Sequence, residues 1–243
     1  MQQLLTGKLR IKNEELRIEN RESFEVSEGY QQTEVGLIPE DWQLKNLEDI
    51  SVITRLTGAE YTSFWKETLN GEIIALRGFN IGKGRIIEKD LVRISNTLSL
   101  KLKRSRLYKN DIAYPCVGSI GNAVVIEEND TYHIQQNIAR ITPSREFVNS
   151  YYLANYLMSS LAQSEIERFN ATSSQPNVLV GSLRQYRIIL PPTKAEQKAI
   201  ATILTDMDKE IATLEEKLAK MRQIKQGMMQ ELLTGRIRLI DSS

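Results

Sequence analysis

A single cysteine, Cys116, in 243 residues excludes an internal disulfide framework and suits a reducing cytoplasm. It follows a proline in an apolar stretch and is expected to be a core thiol. A single histidine, His133, lies in the strand-like Tyr132-His133-Ile134 with no second histidine and no cysteine at ligand spacing, so no metal centre is expected around it. Long apolar runs are missing: none approaches the roughly 18 residues a membrane span needs. The opening MQQLLTGKLRIKNEEL mixes charge with short apolar steps instead of building a secretory h-region. A soluble, intracellular protein is expected. The loop Gly78-Phe79-Asn80-Ile81-Gly82-Lys83-Gly84 lacks the Lys-Ser/Thr ending of a phosphate loop. Gly118-Ser119-Ile120-Gly121-Asn122 lacks dinucleotide spacing and reads as a tight turn. No catalytic constellation stands out, and no cofactor is expected.

Net charge is small as well, at +1, which on its face names no partner. Its distribution says more. Between Gly71 and Lys109 ten Lys/Arg face only Glu72, Glu88 and Asp90, making that segment +7 and the rest of the chain −6. A basic stretch inside a balanced chain is either an electrostatic footprint for phosphates or an ordinary solvated surface.

What the sequence does contain is clearest at the carboxyl end. Tyr186 to Leu190 reads as a strand, two prolines follow, and Thr193-Lys194-Ala195-Glu196 has the T-x-x-E form of a capping box. Apolar residues then recur at Ile200, Leu204, Met207, Ile211, Leu214, Leu218 and Met221, in alternating steps of four and three, a heptad seam. The seam continues through Lys225 to Met228 and Leu232, and Thr234-Gly235 supplies a stop. A helix of about 40 residues, on the order of 60 Å long, is expected. Its narrow seam and charged outer face (Glu215, Glu216, Lys217, Lys220) suit burial against one partner helix rather than in a globular core.

The eleven residues Met1 to Ile11 repeat Met229 to Leu239 with seven identities, at an offset of 228. That period is too long for a solenoid and suggests one unit of a tandem duplication. Residues 1–32 read as a helical and linker segment, 33–190 as a mixed α/β domain, 191–235 as the long helix and 236–243 as a tail. Within the α/β domain, strand-like pieces are Glu72–Leu76, Gly84–Ile87, Asp111–Pro115, Ala123–Glu127 and Ala139–Thr142. Leu47–Ile50 and Ser150–Phe169 read as helices, the second with Tyr152, Leu153, Tyr156, Leu157 and Leu161 on one face.

Four stretches, in order, carry a resemblance. Thr33-Glu34-Val35-Gly36-Leu37-Ile38-Pro39-Glu40-Asp41-Trp42 opens the domain. Leu107-Tyr108-Lys109-Asn110-Asp111-Ile112 is followed by Gly118-Ser119-Ile120-Gly121-Asn122. Gln135-Gln136-Asn137-Ile138-Ala139 comes next, then Leu190-Pro191-Pro192 with Glu196-Gln197, Ile200-Ala201 and Leu204. Together they resemble the target recognition domain and conserved helix of type I restriction–modification specificity subunits, over the chain from about Thr33 onward. The family's full-length subunit has two such domains and two helices packed as an antiparallel coiled coil; this sequence has one of each.

The resemblance implies a non-catalytic, DNA-reading subunit. Each recognition domain would bind one half-site of double-stranded DNA, with the helices as a ruler between half-sites. A homodimer through the helix would read an inverted repeat. A modification (methyltransferase) subunit would dock to supply adenine methylation, and a restriction (motor-nuclease) subunit to supply cleavage. Base and phosphate readout calls for long or bidentate donors on loops. Three stretches qualify: Arg77, Asn80, Lys83 and Arg85; Lys101, Lys103, Arg104 and Arg106; and Thr172, Ser173, Ser174, Gln175 and Asn177. Gln135, Gln136 and Asn137 could read adenine edges, but by the resemblance this segment is expected to be structural. The rivals are a stand-alone enzyme, against which no Asn/Asp-Pro-Pro-Tyr/Phe run is present, and a coiled-coil DNA-binding or adaptor protein outside restriction–modification.

Overall fold

A computed structural model describes residues 5–6, 29–170 and 177–238. The amino-terminal copy of the repeat apart from Leu5 and Thr6, most of the expected linker, Thr172 to Gln175 and the last five residues lie outside the described residues. The chain divides into two compact units, Met1–Thr202 and Ile203–Ser243.

The first unit is a mixed α/β domain assembled from small sheets. A hairpin of β1 (Tyr30–Thr33) and β2 (Gly36–Pro39) turns at Gly36, whose φ of 108° suits glycine. β3 (Gln43–Asn46) leads into the short helix α1 (Leu47–Ile50) and β4 (Ser51–Arg55). Helix α2 (Gly58–Phe64) starts from a capping box in which Thr57 and Glu60 satisfy each other's backbone amides. β5 (Ile73–Leu76), β6 (Val92–Ile94) and β9 (Tyr132–Ile134) form a three-stranded sheet in the order β6-β5-β9, with β5 and β9 parallel. β4 pairs with β10 (Ile138–Pro143), β10 with β7 (Ile112–Pro115), and β7 with β8 (Val124–Val125), all antiparallel. Helix α3 (Asn96–Lys101) lies between β6 and β7 in the chain. The two larger sheets share one core, in which Leu76, Ile81, Leu107, Ala113, Val124, Ile126, Ile134 and Ile138 pack together.

Two sequence expectations need correction. Gly84–Ile87 is not a strand but the far side of a tight turn, closed by the Gly82 amide donating to the Arg85 carbonyl at 2.9 Å. That turn needs the left-handed backbone of Gly84, φ 65°. The single helix expected over Ser150–Phe169 is two, α4 (Ser150–Leu157) and α5 (Ser160–Asn170). The break falls at Met158-Ser159, where the Ser159 hydroxyl donates back to the Tyr156 carbonyl at 2.6 Å. The expected apolar face is real: Tyr152 and Tyr156 are buried, and their hydroxyls donate to the carbonyls of Ile189 (2.6 Å) and Arg187 (3.2 Å). Those carbonyls belong to β11 (Arg187–Leu190), which follows the short helix α6 (Val180–Arg184) and pairs antiparallel with β3, joining the two ends of the domain.

The stretches that carry the family resemblance hold this scaffold. Trp42 and Ile38 are buried, and Glu34 meets the Arg187 guanidinium, which also grips buried Glu165 at 2.5 Å. The buried Asp111 carboxylate accepts from the Tyr108 amide (2.8 Å), Arg140 Nε (2.7 Å) and the Thr142 hydroxyl (2.7 Å). Gln197, also buried, accepts from the Asn149 amide and donates to the carbonyls of Phe147 and Pro191. It fixes the first turn of the long helix α7 (Lys194–Leu233), where Thr193 Oγ1 accepts from the Glu196 amide at 3.2 Å.

In the second unit α7 continues to Leu233 and ends at Gly235, φ 70°. Of the seam, Ile200 and Leu204 are buried and Leu232 is half-buried, whereas Met207, Ile211, Leu214, Leu218, Met221 and Met228 are exposed.

Candidate nucleic-acid interface

Three loops converge on an open cleft of about 290 Å³. The first is Arg77 to Phe79, immediately after β5; the second is Val117 to Ser119, after β7; the third is Gln135 to Asn137, joining β9 to β10. The strands fix all three. The Gln135 amide donates to the Leu76 carbonyl at 2.9 Å, and the Asn137 carbonyl accepts from the Cys116 amide at 2.7 Å. Gly78 closes the wall, since a Cβ there would lie 3.3 Å from the Val117 carbonyl. Asn177, exposed, bridges to Val117, and the next amide, Val178, donates to the Cys116 carbonyl, so Asn177 and Val178 are anchored beside the same loops.

The candidate residues separate into three roles. Lys83 and Arg85 are exposed on the turn after Phe79, and that turn is tied to the β7–β8 connection by the Gly84 amide donating to the Ala123 carbonyl. Lys101, Lys103 and Arg104 are also exposed; Lys101 Nζ sits 3.6 Å from the Phe64 ring centroid, and the Arg104 carbonyl accepts from Thr54 on β4. Arg77 is half-buried: its guanidinium donates to the Asp90 carbonyl and lies 4.7 Å from the Phe79 ring centroid.

Asn80 and Arg106 are buried, unlike the other candidate residues described above. Asn80 is fully buried; its Oδ1 accepts from the Arg77 amide, and Nδ2 donates to the carbonyls of Ile87 (3.0 Å) and Lys89 (2.7 Å). It staples the loop that carries Lys83 and Arg85. Arg106 is 3% exposed and donates to Asn96 (2.8 Å), Ser99 (3.0 Å) and Asp130 (2.6 Å). Both were expected from residue type, which cannot distinguish a donor turned outward from one spent inside. Conversely, Gln136 and Asn137, expected to be structural, line the cleft, and neither amide side chain has a partner among the described residues. Phe79, 46% exposed at the cleft edge, was passed over because sequence does not reveal the exposure of a lone aromatic.

The titratable interior offers no chemistry to this face. Burial holds His133 down to about 4 and pushes the Cys116 thiol up to about 11. The His133 ring nitrogens lie 2.8 Å from the Ile134 carbonyl and 3.2 Å from the Leu102 carbonyl, a structural setting. Among the described residues no group of three His, Cys, Asp or Glu could hold a metal ion, and no helix is long and apolar enough to cross a membrane.

Comparison with known proteins follows the same outline. The type I restriction modification DNA specificity domain matches residues 39–223, most of the α/β domain and more than half of the long helix. The type I restriction enzyme MjaVIII specificity subunit of Methanocaldococcus jannaschii is 26% identical over 215 residues, covering 86% of this chain and 49% of that protein. The EcoBI specificity subunit of Escherichia coli is 25% identical over 167 residues, covering 69% of this chain and 35% of that protein. The chain thus spans half or less of the curated relatives it matches. Among solved structures, the HsdS subunit from Thermoanaerobacter tengcongensis shares the fold with a TM-score of 0.52 at 15% identity, over 84% of this chain and 47% of that one. With a matching domain over most of its length and the scaffold positions of the family's motifs filled, the chain belongs to the type I restriction–modification specificity subunit family.

Proposed function

We propose that this chain reads one half-site of double-stranded DNA and presents the long helix both as a spacer to a second copy and as a docking surface for the modification and restriction subunits. The observation that carries the reading is the cleft: three strand-anchored loops present unpartnered amides, a half-exposed aromatic and neighbouring exposed cations. Such a surface combines base-reading groups with the phosphate-neutralising charge that positions them. Catalysis is left to the partner subunits.

The apolar seam on α7 supports self-pairing. Six large side chains at heptad spacing, Met207 to Met228, are solvent-exposed in the isolated chain. A narrow stripe of this kind is covered by one facing helix. The match spans about half the length of relatives such as the MjaVIII subunit, and a second copy facing the seam would present a second recognition domain. A twofold pair reads an inverted repeat with a gap set by a helix of 40 residues, about 60 Å. An adaptor outside restriction–modification is not favoured by the family match.

The test is base-resolution methylation mapping of DNA from cells that express the chain with its cognate modification subunit and no other specificity protein. A gapped inverted repeat is expected. An asymmetric gapped motif would refute self-pairing, and no new methylation with all proteins folded would refute DNA reading.

A further inference from the structure

The chemistry of the cleft points to the base pair it takes. We infer that the Phe79–Gln136–Asn137 cleft reads an A·T pair from the major groove, with the amides on adenine and the Phe79 ring on the thymine methyl; this rests on the DNA-reading function proposed above.

Each base edge demands different donors. Guanine is read by Arg or Lys, the cytosine amino group by a carboxylate, and adenine by the donor–acceptor pair of an Asn or Gln amide. Among the described residues the cleft lining holds no carboxylate. The one cation among the described lining residues, Arg77, is half-buried: its Nη2 donates to the Asp90 carbonyl, its Nε is buried, and its guanidinium lies over one side of Phe79. Gln135 is also occupied, donating to Glu67 at 3.2 Å. Gln136 and Asn137 remain, amides without a partner among the described residues, on a segment held at both ends by backbone bonds to Leu76 and Cys116.

The backbone sets their direction. Asn137 has φ 66°, a left-handed conformation that asparagine tolerates better than most residues, while its carbonyl stays bonded inward. The side chain is left exposed at the cleft. Opposite, Phe79 keeps nearly half of its surface in solvent, and Val117 is 39% exposed. Apolar groups beside free amides match the two features that an A·T pair shows in the major groove: the adenine N6/N7 pair and the thymine C5-methyl.

The experiment compares methylation maps for the wild type, Gln136→Ala, Asn137→Gly and Phe79→Ala, each expressed with the cognate modification subunit. Glycine at 137 removes the amide and keeps the left-handed backbone. Each variant is checked by thermal melting. The wild-type motif is expected to contain an A·T pair in each half-site that becomes degenerate in the variants, with discrimination falling about tenfold or more at that column alone. Unchanged motifs in all three folded variants would overturn the inference. So would a uniform loss at every site, which marks a phosphate or folding role instead. A wild type that methylates nothing would instead sink the underlying DNA-reading function.

Discussion

Arg104 and Arg106 are two positions apart, and the structure exposes the first and buries the second. Replacing Arg106 with alanine removes donors to Asn96 and Ser99, and the Ser99 side chain is fully buried. Leaving that hydroxyl unpartnered costs about 1–3 kcal/mol, and each lost bond to a charged donor is of similar size. The ion pair to Asp130 adds little, because Asp130 is 71% exposed and water screens it. A destabilisation of about 3 kcal/mol is therefore expected for Arg106→Ala, read by urea unfolding. Arg104 is exposed, so Arg104→Ala should leave stability within about 0.5 kcal/mol. DNA binding, titrated against salt on a duplex carrying the mapped motif, should show the reverse. Each phosphate contact contributes about −0.9 to the slope of log K against log salt, so that slope should flatten for Arg104→Ala and stay unchanged for folded Arg106→Ala. An Arg106→Ala protein of near wild-type stability with a flattened salt slope would refute the assignment.

Other outcomes follow from the same contacts. Asn80→Ala loses three part-buried hydrogen bonds and should cost about 2–4 kcal/mol while weakening DNA binding through the unpinned Lys83–Arg85 turn; equal affinity to wild type would show that the staple does not matter. His133 is held down to about 4 by burial, against an unfolded value near 6.5. The unfolded state therefore binds the proton first: its stabilising effect is full above about pH 6.5 and is lost as pH falls toward 4, on the order of 3 kcal/mol. His133→Gln should flatten that limb in urea titrations at several pH values. Leu214→Glu with Leu218→Glu should abolish self-association in sedimentation velocity without shifting the melting of the α/β domain, since both side chains are exposed in the isolated chain.

The long helix was legible because its information is local: a T-x-x-E start, a heptad seam and a glycine stop all sit in one stretch. Most of the expected strands were legible for a related reason, since each is a short apolar run bounded by turn residues. The break at Ser159 and the turn at Gly84 were not, because each is marked by one local hydrogen bond, from the Ser159 hydroxyl and the Gly82 amide, that apolar periodicity does not encode. The motifs that revealed the family divide: Asp111, Gln197 and Trp42 are buried in the scaffold, whereas Gly118-Ser119 and Gln135 to Asn137 line the cleft. They could name the domain without showing which of their side chains would share a cleft. The cleft is made by tertiary structure. Phe79, Ser119 and Asn137 are far apart in sequence and meet only because β5 pairs with β9 and β7 with β10. Whether an arginine faces solvent or the core is likewise set by what folds against it: composition counted Arg104 and Arg106 as the same charge, and only packing separated them.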